Sequence, residues 1–230
     1  MLAIGIREFQ NLFKSIRSII IILFIFSVTL GIAKLISNYK EVFSEVGLDG
    51  DIYMGGLVLL IIAAGPLFVA SLSHSAINQE IHSRTIRFLA TKVSREKIVL
   101  GKFLGIALYW VVCILVASLL ILPFTKGFYF NQFMESLIFI LYFVGLAIFL
   151  STLITKPGMT MFLGIILAIL LPIIGLWSLG SENLIIDLLS YLTPYYYYYS
   201  LGEHIYTYVV LIFPILFVLG SLLLIRKKDF

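Results

Sequence analysis

Charge is scarce in this chain. Asp, Glu, Lys and Arg make up 12% of its 230 residues, while 61% are hydrophobic and the mean hydropathy is +1.11. A soluble domain carries about twice that charge, so the composition argues against one and predicts a single membrane domain over residues 1–230. Cysteine is almost missing. The one thiol, Cys113, lies in the third apolar run, which excludes an intrachain disulfide and leaves the redox compartment unread. His74, His82 and His204 are too scattered for a helical metal pair, and no metal site is expected.

Catalytic and nucleotide motifs are missing too. The one Gly-Lys pair, Gly101-Lys102, is followed by Phe103 and lacks the upstream glycine of a phosphate-cradling loop, so the chain is not expected to hydrolyse ATP by itself. Neither a Gly-x-Ser-x-Gly elbow nor a His-Glu-x-x-His pair occurs, which disfavours an intramembrane hydrolase. The cores of the apolar runs hold almost no ionisable residue. Lys34, Lys102 and Glu135 sit close enough to run ends to snorkel, which disfavours a proton-coupled transporter or a channel with a charged pathway. A basic pI of 9.1 therefore reads as membrane topology, with no nucleic acid implied.

What the sequence does have is length of apolar run. Six stretches, near residues 18–36, 52–72, 99–122, 136–154, 159–179 and 208–225, approach or exceed the roughly 20 residues that span a hydrocarbon core. They lack the apolar-polar alternation of barrel strands. The fold class is an all-α integral membrane protein with six transmembrane helices. If both termini are cytoplasmic, 13 of the 16 Lys and Arg residues fall inside and only Lys34, Lys40 and Lys126 outside, as the positive-inside rule requires. The expected location is the plasma membrane. The first run follows 17 amphipathic residues and lacks a small-residue cleavage pattern, so it is expected to stay as an anchor.

Leu2, Ile6, Phe9, Phe13 and Ile16 recur at helical spacing opposite Arg7, Asn11 and Lys14. That predicts an amphipathic helix over residues 1–17 in the cytoplasmic headgroup layer, which either orients the first span or, through Arg7 and Lys14, walls a docking surface. Pro66, Pro172 and Pro214 fall inside spans and predict kinks. Gly101-x-x-x-Gly105 allows close helix approach, as intramolecular packing or as a dimer seam. Between the last two spans, Leu184–Leu189 and the run Tyr195, Tyr196, Tyr197, Tyr198, Tyr199 predict two short outer-leaflet helices broken near Pro194. The tyrosines suit an interfacial aromatic belt or an outer gate for a lipid-like substrate.

The densest polar stretch runs from Asn78 to Lys102. Ile77, Ile81, Thr85, Phe88 and Leu89 would line one side of a helix, and Ser94 is placed to cap the third span with Glu96 in its first turn. Glu80-x-x-x-Arg84-Thr85-Ile86-Arg87-Phe88-Leu89-x-Thr91-Lys92-Val93-Ser94-Arg95-x-x-Ile98-x-x-Gly101-Lys102 resembles the Glu-x-x-x-Gly-Thr-Leu-x-x-Leu-Leu-x-x-Pro-Val-Ser-Arg-x-x-(Ile/Leu)-x-x-Gly-Lys pattern of ABC-2 type permeases, the six-span subunits of ATP-binding-cassette transporters. The likeness extends to the amphipathic start, the six spans, the segment before the last span and the basic tail. Arg84 stands where the pattern has Gly, and Lys92 where it has Pro.

The resemblance implies an exporter subunit with no ATP site of its own. ATP and Mg would be bound by a separate ATPase subunit, a second permease subunit would complete a homo- or heterodimer, and lipids would surround both. It also implies that a cytoplasmic coupling helix between spans 2 and 3 meets the ATPase, with Glu80, Arg84, Arg87, Phe88 and Arg95 as transmission residues. An uncharged interior and an aromatic ledge suit hydrophobic or amphipathic cargo such as peptides, lipids or drug-like molecules. Small-ion export fits less well, and a stand-alone immunity protein or intramembrane enzyme is the reading from another class.

Overall fold

Long apolar segments in lipid must satisfy every backbone polar group internally, and a helix does so within one segment. The computed structural model describes residues 1–39, 52–83, 93–125, 127–181, 183–199 and 207–227. Its elements are α1 (Leu2–Lys14), α2 (Ile16–Asn38), α3 (Ile52–Ser73), the short α4 (Asn78–His82), α5 (Arg95–Thr125), α6 (Phe130–Leu153), α7 (Pro157–Ser178), α8 (Leu184–Ser190), α9 (Pro194–Tyr199), a 3₁₀ turn (Tyr208–Leu211) and α10 (Ile212–Lys227). Six helical segments are long and apolar enough to cross a membrane. They match the six predicted runs, and no strand occurs among the described residues. Boundaries differ where a helix outlasts its apolar core: α5 begins at Arg95 and α6 at Phe130, each ahead of the apolar stretch.

The bundle is built around α6, the most enclosed span, which packs against α3, α5, α7 and α10. Trp110, Tyr109 and Phe139 are among its fully buried large side chains. Ser18 Oγ donates to Tyr109 Oη at 2.6 Å, tying the start of α2 to α5. By contrast α7 is the least enclosed span, with Phe162, Ile173 and Trp177 exposed as lipid-facing residues are.

Two expectations change on the fold. The amphipathic stripe of α1 is split: Gly5 and Leu12 are buried, Ile4, Phe9 and Phe13 pack on the core, and Leu2 and Ile6 stay exposed. The helix has a protein face against α5 as well as an apolar outer edge, so periodicity in one direction described half of it. The Gly-x-x-x-Gly of α5 is the seat of that contact. A Cβ on Gly105 would lie 2.5 Å from the Gly5 carbonyl oxygen, and one on Gly101 3.0 Å from the Met1 carbonyl oxygen, so only glycines admit α1 this closely.

The prolines also divide. Pro66 and Pro172 lie inside α3 and α7. Pro214 instead falls in the first turn of α10, just after the 3₁₀ turn Tyr208–Leu211, so it marks a change of helix type near an end, where a missing N–H is best tolerated.

Candidate functional site

The end of the bundle that carries α1, α4 and the start of α5 gathers most of the described bases. Its centre is Lys102. Its side chain is 7% exposed, and Nζ lies 2.9 Å from Glu80 Oε1 and 3.2 Å from Glu8 Oε2. Among the described residues it is the only charged side chain classed as buried, so the expectation that it snorkels is corrected. A compensated ammonium is tolerated at such a site because two carboxylates replace its water. The ion pairs join α1, α4 and α5 in one knot. Gly5 makes the geometry possible, because it lets α1 approach until Glu8 Cβ is within 2.8 Å of a Cβ built on Gly105, one turn from Lys102.

The start of α4 is pinned separately. Ser151 Oγ, near the end of α6, accepts the backbone N–H groups of Ile77 at 2.8 Å and Asn78 at 3.1 Å. These are donors that a helix start leaves without intrahelical partners. Asn78 Nδ2 donates to Thr160 Oγ1 of α7 at 2.7 Å, and Asn78 and Ile77 are fully buried. At the same end Arg226 Nε of α10 donates to Glu96 Oε1 of α5 at 2.6 Å. The short helix α4 is thus bonded to α5, α6 and α7 and joined to α1 through Lys102, a wider attachment than continuity with α3 and α5 alone.

Of the predicted transmission residues, Glu80 is half-buried in the knot, and Arg95 is the first residue of α5 and half-buried. Arg7 and Lys14 are exposed on α1, and Arg7 lines an open cavity of about 490 Å³ above Lys102. Arg84, Arg87 and Phe88 lie outside the described residues. Sequence reasoning missed Glu8, Asn78, Ser151 and Thr160. The available signal was polar residues at span ends with no solvent role, which is weak alone.

At the opposite end the tyrosine run folds as α9 and reaches inward. Tyr195 is 2% exposed; Tyr196, Tyr197 and Tyr198 are half-buried and Tyr199 is exposed. Tyr195 Oη donates to the Ile62 carbonyl in α3 at 3.1 Å, and its ring packs edge-on against Phe139 with centroids 5.3 Å apart. Gly175 gives it room: a Cβ there would fall 2.4 Å from Tyr195 Cβ. Tyr198 Oη donates to the Glu135 carbonyl, and Tyr142 Oη of α6 to Leu192 at 2.7 Å. Burial pushes the Tyr195 and Tyr198 phenols up, so both remain neutral donors at physiological pH.

No group of His, Cys, Asp and Glu among the described residues is arranged to hold a metal ion. The family model described as ABC-2 family transporter protein matches residues 2–225. No curated protein matches the chain.

Proposed function

This chain belongs to the ABC-2 family of transporter proteins, and from that membership we propose that it is the permease subunit of an ATP-binding-cassette exporter, driven by a separate ATPase subunit and paired with a second permease subunit. Permeases of this family are membrane transport components, generally without catalysis of their own. The basic end faces the cytoplasm of a cell bounded by this membrane, and α4 with α1 meets the ATPase. The observation that carries the reading is the Lys102 knot: displacement of α4 by a partner is passed through Glu80 and Lys102 into α5, and through Glu8 into α1, at ion-pair distances of 2.9 and 3.2 Å. A second path runs from Asn78 to α6 and α7 through Ser151 and Thr160.

The cargo is hydrophobic or amphipathic. Lys102, the one buried charge among the described residues, is neutralised by its partners, which leaves little to coordinate an ion along the spans. Isolation from the native membrane after mild cross-linking is expected to bring down an ATP-binding-cassette ATPase. In vesicles reconstituted with that subunit, Arg87→Glu combined with Phe88→Ala is expected to leave insertion and ATP hydrolysis intact while transport falls at least about tenfold, a loss of roughly 1.4 kcal/mol in coupling. An unchanged transport rate would refute the role given to this segment.

A further inference from the structure

We propose that the cavity between α1, α4 and α5 is a binding site for a phospholipid with a primary-amine headgroup, of the phosphatidylethanolamine class. The cavity measures about 490 Å³, and its lining includes the apolar Ile4 and Leu72 and the charged Arg7, Glu8, Glu80 and Lys102. That volume is in the range of small-molecule sites and exceeds what an amino-acid side chain fills.

Depth selects a lipid. Lys102 stands seven residues into α5 and Leu72 one residue from the end of α3, so the cavity lies within about 10 Å of the helix ends. This is the level at which apolar sequence gives way to charge, and therefore the level of a headgroup. Ile4 and Leu72 give the lining an apolar part beside its charged one, as a site shared by a headgroup and the start of an acyl chain requires.

Charge selects the headgroup. The lining holds two carboxylates and two cations, and the Lys102 ammonium is already within 3.2 Å of both carboxylates. An anionic head would meet Glu8 and Glu80 with Arg7 as the one exposed cation of the lining to receive it. A zwitterion fits both signs: its phosphate takes the planar fork of Arg7, and its –NH₃⁺ donates to the Glu8 and Glu80 carboxylates. A trimethylated choline head keeps the charge and loses those donors.

The test is native mass spectrometry of the full chain in detergent, offered an equal mixture of phosphatidylethanolamine, phosphatidylcholine and phosphatidylglycerol with identical acyl chains. Ethanolamine lipid is expected to be retained about tenfold over the other two, the effect of one or two charge-assisted hydrogen bonds. Arg7→Ala, a change on an exposed side chain, should cut that retention about tenfold with the thermal unfolding midpoint unchanged, and Glu8→Gln should erase the preference over choline lipid. Equal retention of ethanolamine and choline lipids, a preference for the glycerol lipid, or retention indifferent to Arg7→Ala would overturn the site. Soluble glycerophosphoethanolamine should compete only at concentrations about a hundredfold higher; competition at equal concentration would assign the cavity to a free phosphodiester instead.

Discussion

The phenol of Tyr195 donates to the backbone carbonyl of Ile62 at 3.1 Å. In an α-helix that carbonyl would receive the N–H of residue 66, and residue 66 is a proline inside α3. A side chain from a separate short helix therefore satisfies the acceptor that Pro66 leaves open, which is how membrane helices keep an internal proline. The phenol thus ties the seating of α9 to the place of Pro66 in α3.

That linkage gives a double-mutant cycle. Tyr195→Phe should lower stability by about 1 kcal/mol, the net worth of one hydrogen bond, or somewhat more if the carbonyl stays dry. Pro66→Ala restores an N–H to the helix, so in that background Tyr195→Phe should cost distinctly less, with a coupling of roughly 0.5–1.5 kcal/mol. Unfolding in detergent followed by denaturant titration measures all four proteins, and strictly additive losses would separate the phenol from the proline.

The Lys102 knot predicts asymmetry. Lys102→Met should destabilise by about 3–5 kcal/mol, because Glu8 and Glu80 would remain part-buried without their common cation. Adding Glu8→Gln and Glu80→Gln to it should recover most of that loss, since a neutral trio no longer has facing carboxylates. If the triple variant melts as low as the single one, packing of the lysine stem rather than charge holds the three helices together.

Ser151 offers a sharper probe of α4. One hydroxyl oxygen accepts two buried backbone N–H groups, at 2.8 and 3.1 Å, so Ser151→Ala removes both at once and should cost about 2–6 kcal/mol at a rate of 1–3 for each unmet donor. Ser151→Thr keeps the acceptor and should cost much less. Hydrogen exchange at Ile77 and Asn78 should speed up in the alanine variant while α10 stays protected; uniform acceleration would mean that the whole bundle, and not the α4 anchor, had loosened.

The six spans were legible because about twenty consecutive apolar residues have one outcome in lipid, and the break at Pro194 because proline lacks the donor a helix interior needs. The site was legible only where its logic is local. Ser94 precedes α5, and Glu96 lies in its first turn, positions that neighbouring residues define. Lys102 pairs with a carboxylate 94 residues away, and nothing in its own surroundings distinguishes that from snorkelling. Gly5 looks neutral in an amphipathic stripe until α5 presents Gly101 and Gly105 to it. Tyr195 shares its identity with four neighbours, and only the position of Pro66, on another helix, singles it out.

Topology provides the last prediction, and it tests the premise on which the coupling reading stands. Ser83 follows α4 at the basic end and is exposed, while Ser181 follows α7 at the tyrosine end and is partly exposed; an odd number of crossings separates them, through α5, α6 and α7. The native thiol Cys113 is buried, so it contributes little background to labelling. In sealed right-side-out vesicles, Ser181→Cys should react with a membrane-impermeant maleimide at once, and Ser83→Cys only after the membrane is opened, as the distribution of basic residues dictates. The reverse order would turn the Lys102 knot outward, beyond reach of a cytoplasmic ATPase. Labelling of both from one side would remove a span from the fold.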